Sequence, residues 1–206
     1  MRGIGRLLGH CLHSQTPVHK TTGGIVPMVA ADLHRHNLQR VTDTALRESG
    51  LHLEDVDVVA VTVGPGLALC LQAGLEFVKS LAKTHNKPVM PVHHMAAHAL
   101  MPRMEQDIPF PYLVLLVSGG HCILAVAHSS DQFSRLGQTR DDSPGEAFDK
   151  LARWLGLDTH PDVGQKVGGA AVELLARKGD PTRYPFPPIM ARRKCCNFSF
   201  SGLKTS

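Results

Sequence analysis

The chain has 206 residues, of which 43% are hydrophobic and 19% charged, a balance that excludes a disordered tail and suits one large or two small globular domains. Its 19 Gly and 14 Pro are scattered without period, which excludes collagen-like and low-complexity chains. A net charge of +4 permits contact with nucleic acid without demanding it.

Residues 1–31 hold Arg2, Arg6, Lys20 and several His, but the first acid is Asp32. An acid-free, Arg-containing start fits a mitochondrial transit peptide, and it also fits chance, so 1–20 is a candidate targeting segment. Gly23-Gly24 reads as a turn. Val29, Leu33, Leu38, Val41 and Leu46 then fall on one face of a long helix over 28–48, stopped by Gly50. A Val-rich run over 56–63 reads as a buried strand, Gly64-Pro65-Gly66 as a hard turn, and 67–83 as a second helix. A short strand follows over 88–92, then a helix from Met95 that Pro102 disturbs. Two strand-like runs, 112–117 and 122–127, flank Ser118-Gly119-Gly120-His121, and helices are expected over 145–155 and 169–178. Short apolar strands alternating with helices argue for an α/β layer fold. No run is apolar and long enough to cross a membrane as a helix. Cys11, Cys70, Cys122, Cys195 and Cys196 are irregularly spaced and form no C-x-x-C, which points to a reducing compartment and away from a zinc ribbon or a disulfide framework. The chain stops at Leu203-Lys204-Thr205-Ser206 without a helix-ending signal and reads as cut.

Five constellations bear chemistry. His94 and His98 are four apart, so a helix brings both imidazoles to one face, where they can grip a divalent cation or simply be two surface histidines. A metallopeptidase needs Glu directly after the first His, and that position is Met95. Ser118-Gly119-Gly120 between two strands either offers backbone N–H groups and a hydroxyl to a phosphate or is an ordinary hairpin turn. In Asp141-Asp142-Ser143-Pro144-Gly145-Glu146-Ala147-Phe148-Asp149-Lys150 the first two acids read as helix caps, while Asp149 lies inside the helix and is open to a hydroxyl-bearing ligand such as a ribose. Gly168-Gly169 opens a helix with Glu173 one turn on, a helix start with a solvated Glu or a close backbone approach to a ligand. Arg192-Arg193-Lys194, with Arg177, Lys178 and Arg183 nearby, is a solvated basic loop or a contact for a nucleic-acid backbone.

Read in order, Gly23-Gly24-Ile25-Val26-Pro27, Gly64-Pro65-Gly66-Leu67, His93-His94-Met95-Ala96-Ala97-His98, Leu116-Val117-Ser118-Gly119-Gly120-His121, Gly145-Glu146-Ala147-Phe148-Asp149-Lys150, Gly168-Gly169 and Phe198-Ser199-Phe200-Ser201-Gly202-Leu203-Lys204-Thr205 resemble the tRNA threonylcarbamoyltransferase family, its mitochondrial branch most. The resemblance implies an actin-like, sugar-kinase-like α/β fold, here incomplete, with a first lobe over 8–117 and the start of a second over 118–206. It implies transfer of a threonylcarbamoyl group from threonylcarbamoyladenylate to N6 of the adenosine next to the anticodon in tRNAs that read codons beginning with A. It further implies that His94 and His98 bind one divalent metal, iron or zinc, that Leu116, Val117, Ser118, Gly119 and Gly120 line the adenylate site, and that Asp149, Gly169 and Glu173 add substrate contacts. The expected partners are tRNA, the adenylate and a second copy of the chain in a homodimer, with no membrane.

Three departures from the family pattern shape the expectation. An opening strand and turn lack counterparts, and so do later segments that carry an Asn contacting the nucleotide and the Asp completing the metal site. Ala96 stands where the family often has Glu between the two His. The chain alone is therefore expected to lack a third metal ligand, to bind metal weakly, to transfer poorly, and to leave sheet edges open. A non-catalytic short form that keeps only a binding surface is the alternative.

Overall fold

A computed structural model describes residues 5–22, 24–164, 166–186, 189–190 and 193–204. Residues 1–4 of the candidate targeting segment, Gly23, Arg192 and Thr205 lie outside them. The chain divides into two compact units, Met1–Asp107 and Ile108–Ser206. It is of the mixed α/β class expected.

In the first unit, helix α1 (Thr16–Thr21) precedes the long helix α2 (Pro27–Ser49). Pro27 opens α2 because its missing N–H would have no helical partner there. Gly50 ends it in the left-handed conformation, φ 70°, with its N–H donating to the Arg47 carbonyl. The segment before α1 lies along α2. His10 N–H donates to Glu48 Oε2 at 3.3 Å, and a Cβ on Gly9 would run into the Ala45 carbonyl, so only glycine fits that approach.

Strand β1 (Val59–Gly64) starts later than the Val-rich run, because a 3-10 turn over Leu53–Asp55 occupies the approach to it. Helix α3 (Ala68–Thr84) packs against both α2 and β1 and returns the chain to β2 (Val89–His93), which pairs parallel to β1. The buried residues of the helix pair are small: Ala30 and Ala31 on α2, Ala73 and Ala82 with Val78 on α3. The expectation of a buried strand is corrected: Ala60 and Val63 are exposed, and among the described residues this sheet has two strands. Helix α4 (His94–Leu100) follows β2 without a loop and tightens into a 3-10 turn at Met101–Met104, where Pro102 interrupts it.

In the second unit, β3 (Tyr112–Val117), β4 (Cys122–Ala127) and β5 (Phe133–Gln138) form an antiparallel sheet in that order. β3 belongs to this unit because its ladder runs with β4, from Tyr112 opposite Ala127 to Val117 opposite Cys122. Helix α5 (Pro144–Trp154) has Ser143 as its N-cap, and helix α6 (Gly169–Ala176) starts at the glycine pair. Ala152, Leu157, Val163 and Ala171 form the buried core between these helices. No helix of the described residues is long and apolar enough to cross a membrane.

Candidate functional site

β2 ends at His93, so the first residue of α4 is His94 and His98 lies one turn on, at the carboxyl end of a parallel pair. That end is where open α/β sheets place their ligands. The two Nε2 atoms face one another at 3.2 Å, with the rings edge to face and their centroids 4.4 Å apart. Two imidazole lone pairs repel at this distance unless a proton or a cation lies between them. Two nitrogens bound tetrahedrally at about 2.0–2.1 Å from zinc would be roughly 3.3 Å apart, so the pair fits a shared cation. Among the described residues no group of three or more His, Cys, Asp or Glu could complete the coordination. His94 also opens onto a cleft of about 600 Å³ that His19, His34, Thr62 and Cys70 help to line. The sequence reading missed His19 and His34. A signal existed for His34, one turn before Leu38 on the helix that the apolar spacing marks.

The second cluster surrounds the Gly pair between β3 and β4. Ser118 N–H donates to the His121 carbonyl at 2.9 Å, closing a tight hairpin. The Ser118 hydroxyl oxygen accepts from His121 N–H at 3.0 Å and from Gly120 N–H at 3.3 Å. The segment is therefore a hairpin turn, as one of its two readings had it, and its serine keeps an O–H to donate. Leu116 and Val117 lead into it on β3. Beneath the turn, the Ser143 hydroxyl donates to the Gly119 carbonyl. A Cβ on Gly145 would lie 2.6 Å from the Gly119 Cα, so the start of α5 touches the turn through bare backbone.

The expectation that Asp141 and Asp142 cap α5 is corrected. The cap is Ser143, whose oxygen accepts from Glu146 N–H at 3.3 Å, because its short side chain can turn back on its own helix. Asp142 instead meets Lys150 Nζ at 2.7 Å, and Lys150 also meets Glu146 at 2.8 Å. The hydrogen bonds that Lys150 donates to Asp142 and then to Glu146 hold its ammonium above the ordinary lysine range. Asp141 reaches across to the end of the chain, where Oδ1 accepts from Phe200 N–H at 2.8 Å and Ser201 N–H at 3.2 Å, and Oδ2 from the Ser199 hydroxyl at 2.6 Å. Partial burial pushes this carboxyl up, but the Ser199, Phe200 and Ser201 donors outweigh it and hold the group below the ordinary aspartate range.

Asp149 lies on α5 with Oδ1 accepting from Gly169 N–H at 2.8 Å, so it ties the start of α6 to α5. A Cβ on Gly168 would collide with that same Oδ1, and Gly168 has φ 58°. Glu173 pairs with Arg177 at 3.0 Å on the exposed face of α6, the solvated arrangement its spacing allowed. Cys122 is buried, and burial pushes its thiol up, away from nucleophilic use.

The family model of TsaD, tRNA N6-adenosine threonylcarbamoyltransferase, matches residues 6–206. A zebrafish protein named mitochondrial tRNA N6-adenosine threonylcarbamoyltransferase is 49% identical over 98% of this chain and 50% of its own length. The human protein of that name is 46% identical over 97% and 48%, and a tRNA N6-adenosine threonylcarbamoyltransferase of the bacterium Ruegeria pomeroyi is 48% identical over 97% and 53%. The chain spans about half the length of the relatives it matches. Among solved structures, YeaZ from Pseudomonas aeruginosa aligns with 55% of this chain and 54% of its own at 23% identity and a TM-score of 0.38.

Proposed function

The chain belongs to the tRNA N6-adenosine threonylcarbamoyltransferase family, and from that premise we propose that it carries the metal-holding and adenylate-binding part of a mitochondrial enzyme that threonylcarbamoylates tRNA. The observation that carries the reading beyond the family is the convergence of His94 and His98 Nε2 at 3.2 Å. The donor is threonylcarbamoyladenylate and the acceptor is N6 of the adenosine beside the anticodon, in tRNAs that read codons beginning with A.

The reaction is acyl transfer from an activated mixed anhydride. The N6 nitrogen attacks the carbamoyl carbonyl carbon and a C–N bond forms. The C–O bond to phosphate breaks, AMP leaves with the electron pair, and the amine proton passes to water. The leaving group is already good, so the protein's task is to hold and align. Ser118 O–H and the Gly119-Gly120 backbone face the adenylate phosphate, with Leu116 and Val117 beside them. Asp149 has one oxygen engaged with Gly169 N–H, which supports its second oxygen as acceptor for a ribose hydroxyl. Glu173 joins the substrate by releasing its exposed partner Arg177, a pair worth under about 1 kcal/mol. His94 and His98 would hold a divalent cation, iron or zinc, which would supply Lewis-acid polarisation of the carbonyl when bound. In this reading its third protein ligand comes from outside the described residues, and no covalent adduct forms on the protein.

The test is made in the cells that produce the protein. Deleting its gene removes N6-threonylcarbamoyladenosine from mitochondrial tRNAs reading codons that begin with A, measured by nucleoside mass spectrometry. The native gene restores the modification and a His94→Ala gene does not. Unchanged modification after deletion overturns the proposal.

A further inference from the structure

We infer that Ser143 is a positioning residue that fixes the orientation of the Gly119–Gly120 peptide, and through it the affinity of the β3–β4 turn for an adenylate phosphate. The inference rests on the adenylate reading of that turn given above. Ser143 is 2% exposed, a buried polar side chain whose hydroxyl satisfies two backbone groups at once. It donates to the Gly119 carbonyl, and its oxygen accepts from Glu146 N–H. The second bond is ordinary helix capping. The first crosses from α5 to a turn 24 residues earlier.

The direction of the Gly119 carbonyl matters because a peptide unit is planar and trans. A carbonyl drawn down to Ser143 sends the N–H of the same peptide, that of Gly120, to the opposite side. There it reaches Ser118 Oγ at 3.3 Å, a long bond that a phosphate oxygen can replace. The peptide is flanked by glycine on both sides, so no Cβ resists its rotation. Ser143 and the close backbone approach of Gly145 supply that resistance from below. Losing the hydroxyl leaves the turn in place, since Ser118 N–H still donates to the His121 carbonyl, but frees the peptide to flip and present an oxygen to the phosphate.

The experiment titrates ¹⁵N-labelled protein with AMP and follows the Gly119 and Gly120 amides, with Ser143→Ala and Ser143→Thr beside the native chain and circular dichroism as the folding control. In the native chain AMP moves the Gly120 amide. Ser143→Ala shifts or splits that resonance already without ligand and weakens AMP by about tenfold, the scale of one lost hydrogen bond. Ser143→Thr, which keeps both hydroxyl and cap, restores the native resonance and affinity. A Ser143→Ala chain that keeps the native Gly120 resonance and binds AMP at the turn within twofold of native overturns the positioning role and leaves the adenylate reading standing. Native Gly119 and Gly120 amides that ignore AMP overturn the adenylate reading itself, and this inference with it.

Discussion

Asp141 spends its whole carboxylate on the segment 199–201, with one oxygen on two backbone N–H groups and the other on a hydroxyl. Because these donors hold its pKa below the ordinary value of about 3.9, the stabilisation is fully present above that pH and is lost as pH falls through the lower folded value. Hydrogen exchange at the Phe200 and Ser201 amides is therefore expected to be slow at pH 6 and to rise, beyond its intrinsic pH dependence, below about pH 4. Asp141→Asn keeps the shape but loses the charge assistance, so it costs about 1 kcal/mol and flattens that acid response. A variant with the same acid limb as the native chain would show that other groups anchor the segment. This contact was not legible in the sequence. An acid just before a helix reads as a cap, and nothing local tells that its donors lie 58 to 60 residues away. The His94–His98 pair was legible, because its geometry follows from helical spacing alone.

At the scale of elements, legibility tracks how strongly local chemistry marks an end. Pro27 and Gly50 bracket α2, so its expected bounds agree with the structure to within a residue. The runs YLVLLV and CILAVA are β3 and β4 as read, since each is short, apolar and bounded by the Gly pair or by polar residues. β5 was missed because FSRLGQ holds two large apolar residues and a glycine, and its strand character comes from pairing with β4. α1 was missed too, having one apolar residue, Val18, in the middle of its six. The α2–α3 packing depends on alanines that pattern reading passes over. Ala31 is 1% exposed and Ala73 2%, so the helices pack over small side chains. At buried Ala73 a larger side chain must push its neighbours aside. Ala73→Leu is expected to lose about 1–3 kcal/mol of stability in urea unfolding, although leucine is nearly as good a helix former. A variant as stable as the native chain would mean that the packing is loose.

Across the whole molecule, alternation along β3 sets Val114, buried, against Leu113, Leu115 and Val117, which are 64%, 56% and 56% exposed. β3 is also an edge of its sheet among the described residues, so this apolar face adjoins unpaired backbone groups. A contiguous apolar stripe beside an open edge favours association over solution. The chain of 206 residues, expressed as it stands, is expected to bind the dye ANS and to elute from size exclusion at a mass that rises with concentration. Replacing Leu113 and Leu115 together by Thr puts β-branched residues that suit a strand in their place and removes most of the apolar area, so dye binding and self-association fall together. Neither residue lies in the buried core, so the fold should survive with a change of about 0.5 kcal/mol or less per site. Association that persists unchanged in the double variant would place its cause elsewhere, on the exposed Phe148, Trp154 and Leu155 of the α5 region. Dye binding that is lost without any loss of association would separate the apolar stripe from the strand edge, and leave backbone pairing as the force that joins the chains.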